Sequence, residues 1–210
     1  MHSPLTDLIQ GHTSHLVIQG SLPASPCVAC CGSFNPLHPG HLNLLKLGQA
    51  ISALPGVFEL SVTNVDKPPL DPPEIDRRSR QFTNLHHPLV LTNQPRYLGK
   101  LSIFPPGSSF VMGADTFLRL VDLRYYHPSE SPLDVFESAR TGFIVAPRRL
   151  ADGNILTPQQ ILHQSPDSAR WTRLTTLIHP DQFLMDISSS QIRSAGSTAP
   201  NPLISTEDGK

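Results

Sequence analysis

Short apolar runs alternate along the chain with stretches in which apolar residues recur every three or four positions. The runs predict strands at Cys27 to Phe34, Val57 to Thr63, Leu89 to Thr92, Ser109 to Ala114 and Gly142 to Ala146, with a last short one at Phe183 to Ile187. The periodic stretches predict helices. One runs from about His41 to Leu54, with Leu44, Leu47, Ile51 and Leu54 on one face; others cover Glu74 to Leu85, Asp115 to Asp122, Leu133 to Arg140 and Gln159 to His163. A further helix opens within Ser188-Ser189-Ser190-Gln191-Ile192-Arg193. Strands alternating with helices pair in parallel, so the expected architecture is α/β with three layers and a mostly parallel sheet. Ligands of such folds sit beyond the carboxyl ends of the strands, here the loops after residues 34, 63, 114 and 187.

The chain has 210 residues, a length suited to one domain with a sizeable core. Residues 1–25 are polar and mixed and read as an N-terminal extension that packs only partly. Residues 26–194 form the expected domain, and 195–210, polar and turn-rich, a flexible tail. No apolar run approaches membrane-spanning length, and the first 25 residues lack the pattern of a secretory signal, so a cytoplasmic protein without a membrane partner is expected. The net charge of −1 gives no basic excess for nucleic acid, so any anion must be held by locally placed donors. The 22 prolines favour sharp loops over long helices. Cys27, Cys30 and Cys31 crowd into one strand with no second ligand pair at zinc spacing, which reads as buried thiols and no metal site.

Gly32-Ser33-Phe34-Asn35-Pro36-Leu37-His38-Pro39-Gly40-His41 follows a strand and opens a helix, where backbone N–H groups and the helix dipole favour an anion. Gly32 lets a phosphate approach the backbone, and Pro39 and Gly40 shape the turn so that His38 and His41 face one pocket as paired donors. An H-x-x-H taken alone is most often two surface histidines; its place between strand and helix argues otherwise. The stretch resembles the signature of the nucleotidyltransferase α/β superfamily, and its GSFNP opening is most similar to the nicotinamide and nicotinate mononucleotide adenylyltransferases. Ile187-Ser188-Ser189-Ser190-Gln191-Ile192-Arg193 is similar to the ISSTxIR motif of those enzymes, with Ser for Thr at position 190. The resemblance covers roughly residues 27 to 194.

It implies a Rossmann-like nucleotidyltransferase fold in which His38, His41 and Arg193 are catalytic. Gly32, Ser33, Phe34, Gly113, Asp115, Ile187, Ser188 and Ser189 would bind ATP. Gly113 and Asp115 belong to a GADTF segment similar to the family's G-x-D, although Asp115 could equally cap a helix. Asn35, Lys67, Arg78 and Arg148 match acceptor-binding positions, the last at the end of GFIVAPRR. The middle of the chain departs from the pattern: extra prolines surround Lys67, and no aromatic residue clearly replaces the one that stacks a pyridine ring, with Trp171, Tyr125 and Tyr126 as candidates.

The implied activity is adenylyl transfer from ATP to nicotinamide or nicotinate mononucleotide with release of pyrophosphate, with Mg²⁺ carried by the polyphosphate. Another phosphorylated acceptor stays open, an alcohol phosphate with CTP or phosphopantetheine with ATP, as does a nucleotide-binding protein that only hydrolyses ATP. The partners expected are small molecules and, for assembly, another copy of the chain. P-loop, G-x-G-x-x-G, G-x-S-x-G and H-E-x-x-H signatures are missing.

Overall fold

The computed structural model describes residues 3–65, 68–184, 187–194 and 196. In chain order the elements are α1 (Pro4–Ile9), β1 (His15–Gln19), β2 (Val28–Cys31), α2 (Pro39–Ser52), β3 (Gly56–Ser61), α3 (Pro72–Thr83), β4 (Leu89–Thr92), α4 (Tyr97–Lys100) and β5 (Ser109–Gly113). Then come α5 (Ala114–Val121), α6 (Pro132–Ser138), β6 (Gly142–Ala146), β7 (Arg148–Arg149), β8 (Ile155–Leu156), α7 (Pro158–Gln164), α8 (Ser168–Leu174), β9 (Thr175–Leu177) and α9 (Ser189–Ser194). Seven strands form one sheet in the order β1-β4-β3-β2-β5-β6-β9. All its pairings are parallel except β1 with β4, and β7 and β8 form a separate antiparallel ribbon.

The parallel strands are apolar at successive residues because both faces of the sheet are covered. Alternate side chains therefore divide between two cores. Val28, Cys30, Phe58, Leu60, Leu89, Leu91, Val111 and Ile144 pack with α1, α2 and α3 on one face. Ala29, Val57, Val90, Phe110, Met112, Phe143 and Val145 pack with α5, α6, α7 and α8 on the other. This is the expected three-layer α/β fold with a mostly parallel sheet.

Three departures from the sequence reading have local causes. The first 25 residues do more than pack partly: Leu8 of α1 is buried in the core, and β1 adds an antiparallel edge to β4. None of the residues of β1 is fully buried, and its apolar run, Leu16-Val17-Ile18, was not read as a strand. The last strand of the sheet is Thr175–Leu177, parallel to β6, whereas Phe183 and Leu184 lie in no strand and Met185 and Asp186 fall outside the described residues. With two threonines in three residues, β9 carries no apolar signal. Helices also begin earlier than periodicity suggests, because Pro39 and Pro72 occupy first-turn positions that need no N–H donor.

Candidate active site

The loop from Gly32 to Leu37 connects the end of β2 to α2, and side chains from distant elements hold it. Phe34 takes φ 44°, in the left-handed region. Burial of its ring, edge-on to His41, Phe58 and Phe82 at centroid distances of 5.0, 5.5 and 5.0 Å, offsets the backbone strain. Gly32 is required by that ring, since a Cβ there would lie 2.9 Å from Phe34.

From α3, Arg78 donates to the Ser33 carbonyl at 2.8 Å and Arg77 to Asn35 Oδ1 at 2.6 Å. Gln81 donates to the Phe34 carbonyl at 2.9 Å and accepts from the Leu37 N–H at 2.8 Å. Glu74 accepts from both arginines, and its carboxyl is held down to about 2, chiefly by the hydrogen bond from Arg77. From the other side, Ser189 donates to the Pro36 carbonyl at 2.8 Å and Arg193 to that of Asn35. The carbonyls of Ser33, Phe34, Asn35 and Pro36 are thus occupied, while the N–H groups of Ser33, Phe34 and Asn35 donate to nothing among the described residues. Such a loop presents donors to an anion.

His38 and His41 lie at the start of α2 with their rings stacked, 3.7 Å between centroids. The His38 N–H donates to His41 Nδ1 at 3.3 Å, so the proton of the neutral His41 ring sits on Nε2. His38 is 1% exposed and its Nδ1 has no partner among the described residues. Burial, then the nearby Arg148 cation, lowers its pKa to about 4. Burial, then His38 and Arg148, lowers that of His41 to about 3. At neutral pH both rings are therefore uncharged, and each carries one N–H. Gly40 lets them close: a Cβ there would lie 3.0 Å from the His38 ring and 3.1 Å from Ile187. Asp115, in the first turn of α5, makes no cap bond and instead faces Arg148 Nε at 3.5 Å.

These groups surround a cavity of about 510 Å³, a size usual for small-molecule sites. Gly32, Ser33, His38, His41, Gly113, Asp115, Arg148, Ser188, Ser189 and Arg193 line it. Four of the expected residues do not. Phe34 is a core ring, Ile187 packs on Gly40, and Arg78 and Asn35 are tied up in holding the loop. Lys67 lies outside the described residues. Tyr125 and Tyr126 line the cavity, the latter anchored by a 2.7 Å bond to the Leu120 carbonyl. Trp171 is a core residue packed among Phe117, Phe136 and Phe143.

Sequence reasoning missed the cavity floor. Glu59 Oε1 accepts from Lys100 Nζ at 2.7 Å and from the Thr92 hydroxyl, and Lys100 also donates to the Gln94 carbonyl at 2.6 Å. Burial and the Glu59 carboxylate push the Cys31 thiol upward. The one available signal was a carboxylate inside the apolar run VFELSV; nothing marked Lys100 or Gln81.

A family model described as Cytidylyltransferase-like matches residues 29–195. The chain belongs to the cytidylyltransferase-like family. Its match spans the sheet from β2 onward, all the strands that contribute to the cavity, and both motif segments. The cytidylyltransferase-like assignment makes the protein a nucleotidyltransferase, an enzyme that uses a nucleoside triphosphate. Comparison with curated proteins finds no match. No helix among the described residues is long and apolar enough to cross a membrane.

Proposed function

We propose that the enzyme transfers an adenylyl group from ATP to nicotinamide or nicotinate mononucleotide, releasing pyrophosphate. The observation that carries this reading is the way the cavity straddles β2. On one side, after β5 and β6, lie Gly113, Asp115 and Arg148; on the other, at the ends of β3 and β4, lie Ser61, Thr63, Pro95 and Arg96. Two substrates can therefore meet over the histidine pair. The first limb suits the nucleoside triphosphate, with Asp115 accepting from a ribose hydroxyl. The second suits the acceptor, with Tyr125 or Tyr126 against a planar ring.

In the proposed reaction an acceptor phosphate oxygen attacks the α-phosphorus of ATP, and the bond to the bridging oxygen of pyrophosphate breaks in line. A phosphate monoester is largely dianionic at pH 7, so the nucleophile needs no protein base. The protein's work is alignment and charge stabilisation. The neutral rings of His38 and His41 donate to phosphate oxygens, and Ser188, Ser189, Arg193 and Arg148 hold the triphosphate as charge moves onto the leaving group. Among the described residues no three His, Cys, Asp or Glu side chains come together as a metal site. Mg²⁺ therefore enters this reading as part of the ATP complex, held by polyphosphate oxygens.

The test is pyrophosphate release from ATP and Mg²⁺ with nicotinamide mononucleotide, nicotinate mononucleotide or no acceptor, repeated with CTP. Acceptor-dependent release together with formation of a dinucleotide is expected. Release with CTP and an alcohol phosphate, or with ATP and phosphopantetheine, but with neither mononucleotide, would replace the acceptor and keep the chemistry. Orthophosphate release without any acceptor would make the protein a hydrolase.

A further inference from the structure

The acceptor limb ends on a buried ion pair for which the reaction above has no use. Glu59 lies on β3 in register with Cys31 of β2, and Lys100 lies on α4, beyond β4. Their side chains are 1% and 4% exposed, yet both residues line the cavity. Such a pair is a poor way to stabilise a fold, because desolvation of both charges cancels most of their attraction and apolar residues of similar volume do as well. Tyr97, Met112, Leu120 and Pro95 add apolar surface to the same cavity. A charged floor in a cavity with apolar surface suits a flat ring that carries one polar substituent.

The hydrogen-bond inventory defines that substituent. Lys100 Nζ has three N–H donors. Two are used, on Glu59 Oε1 and the Gln94 carbonyl, and the third has no partner among the described residues. Glu59 Oε1 is occupied by Lys100 and Thr92, and the Cys31 thiol also leans on the carboxylate, whose second oxygen, Oε2, keeps a lone pair with which to accept. Arg96, another cation on this limb, is paired with Glu130 at 2.9 Å. The floor thus offers one donor and one acceptor side by side, with formal charges that sum to zero. A carboxamide matches both, its oxygen taking the ammonium N–H and its NH₂ group donating to the carboxylate. A carboxylate in the same place would bring a second anion against Glu59 with no proton between them.

We infer that Glu59 and Lys100 form the acceptor-reading subsite, which selects a ring-borne carboxamide over the corresponding carboxylate. Within the acceptor class proposed above, on which this rests, the amide-bearing nicotinamide mononucleotide is the substrate and nicotinate mononucleotide is discriminated against.

The test compares kcat/KM for the two mononucleotides at saturating MgATP. The wild-type enzyme favours the amide by at least ~10-fold, the penalty of unpaired and like-charged groups at a buried site. Glu59→Gln leaves the Lys100 cation without its carboxylate, and the preference shifts toward nicotinate by ~10-fold or more. Because that variant holds an unpaired buried charge and is prone to unfold, the neutral double variant Glu59→Gln/Lys100→Met is measured beside it. In the double variant the amide-to-acid ratio falls to near one. Melting temperatures give a readout apart from turnover: nicotinate mononucleotide raises that of Glu59→Gln more than that of wild type.

A wild-type enzyme that uses nicotinate as well as the amide would overturn the inference. So would an amide-to-acid ratio that is unchanged in the folded double variant. In both cases the adenylyltransferase reading still stands. Turnover of neither mononucleotide would overturn that reading and this inference together.

Discussion

Gln81 offers the sharpest test of how the phosphate-facing loop is held. Its side-chain amide bridges the Leu37 N–H and the Phe34 carbonyl at 2.8 and 2.9 Å, across 44 and 47 residues of sequence. Gln81→Leu keeps the volume roughly constant and removes both bonds, leaving a partly buried donor and acceptor without partners. Each such group costs about 1–3 kcal/mol. Partial access to water places the sum near the low end, about 2 kcal/mol of unfolding free energy. The loop relaxes to recover some of that cost, and the relaxation moves His38, the residue next to Leu37. A displacement of about 1 Å at a reacting centre lowers the rate by roughly 10²-fold. Urea unfolding reads the first number and steady-state pyrophosphate release the second. Gln81→Glu separates the two bonds, because it still accepts from Leu37 but sets a carboxylate against the Phe34 carbonyl. Its defect is expected to shrink as the pH falls below about 5 and the carboxyl regains a donor proton. If Gln81→Leu stays within about 0.5 kcal/mol and threefold of wild type, then the Phe34 ring holds the loop and the clamp from α3 is incidental.

The histidine pair makes stability depend on pH. The folded-state pKa of His38, about 4, lies below the unfolded value of about 6.5. The unfolded chain therefore binds its proton first as pH falls, and stability is full above about 6.5 and declines down to about 4. That shift corresponds to about 3 kcal/mol, and because His41 is depressed as well, to about 3, His38→Gln should remove roughly half of the fall in unfolding free energy over this window and leave the rest. His41→Ala is expected to lower turnover at least ~10²-fold by removing a donor to the transition state. A smaller loss with the fold intact would take His41 out of the chemistry. Leu8→Ala, at a fully buried position in α1, should cost about 2–5 kcal/mol in urea unfolding. A neutral result there would mean that the N-terminal helix adds little to the core.

Two parts of the site were legible in the sequence because their geometry is local. A strand followed within a few residues by a proline-opened helix puts His38 and His41 one turn apart wherever that segment folds. Ser188, Ser189 and Arg193 likewise share one short turn of chain. The α/β class was legible for a similar reason, since strands covered on both faces must be apolar at every residue. Burial also leaves a trace in composition: the carboxylate of Glu59 inside the apolar run VFELSV was such a trace, and the sequence reading passed over it.

The pairing of Glu59 with Lys100, 41 residues away, depends on β3 and β4 being neighbours and on α4 folding back over them. The Gln81 clamp depends on α3 lying under a loop that belongs to another strand. The outer strands β1 and β9 take their places from the sheet edges they complete, and β9, with two threonines in three residues, carries no apolar signal of its own. Periodicity reports how much of a residue is buried; it carries no record of which residue it is buried against, and that was decided by strand order and helix packing.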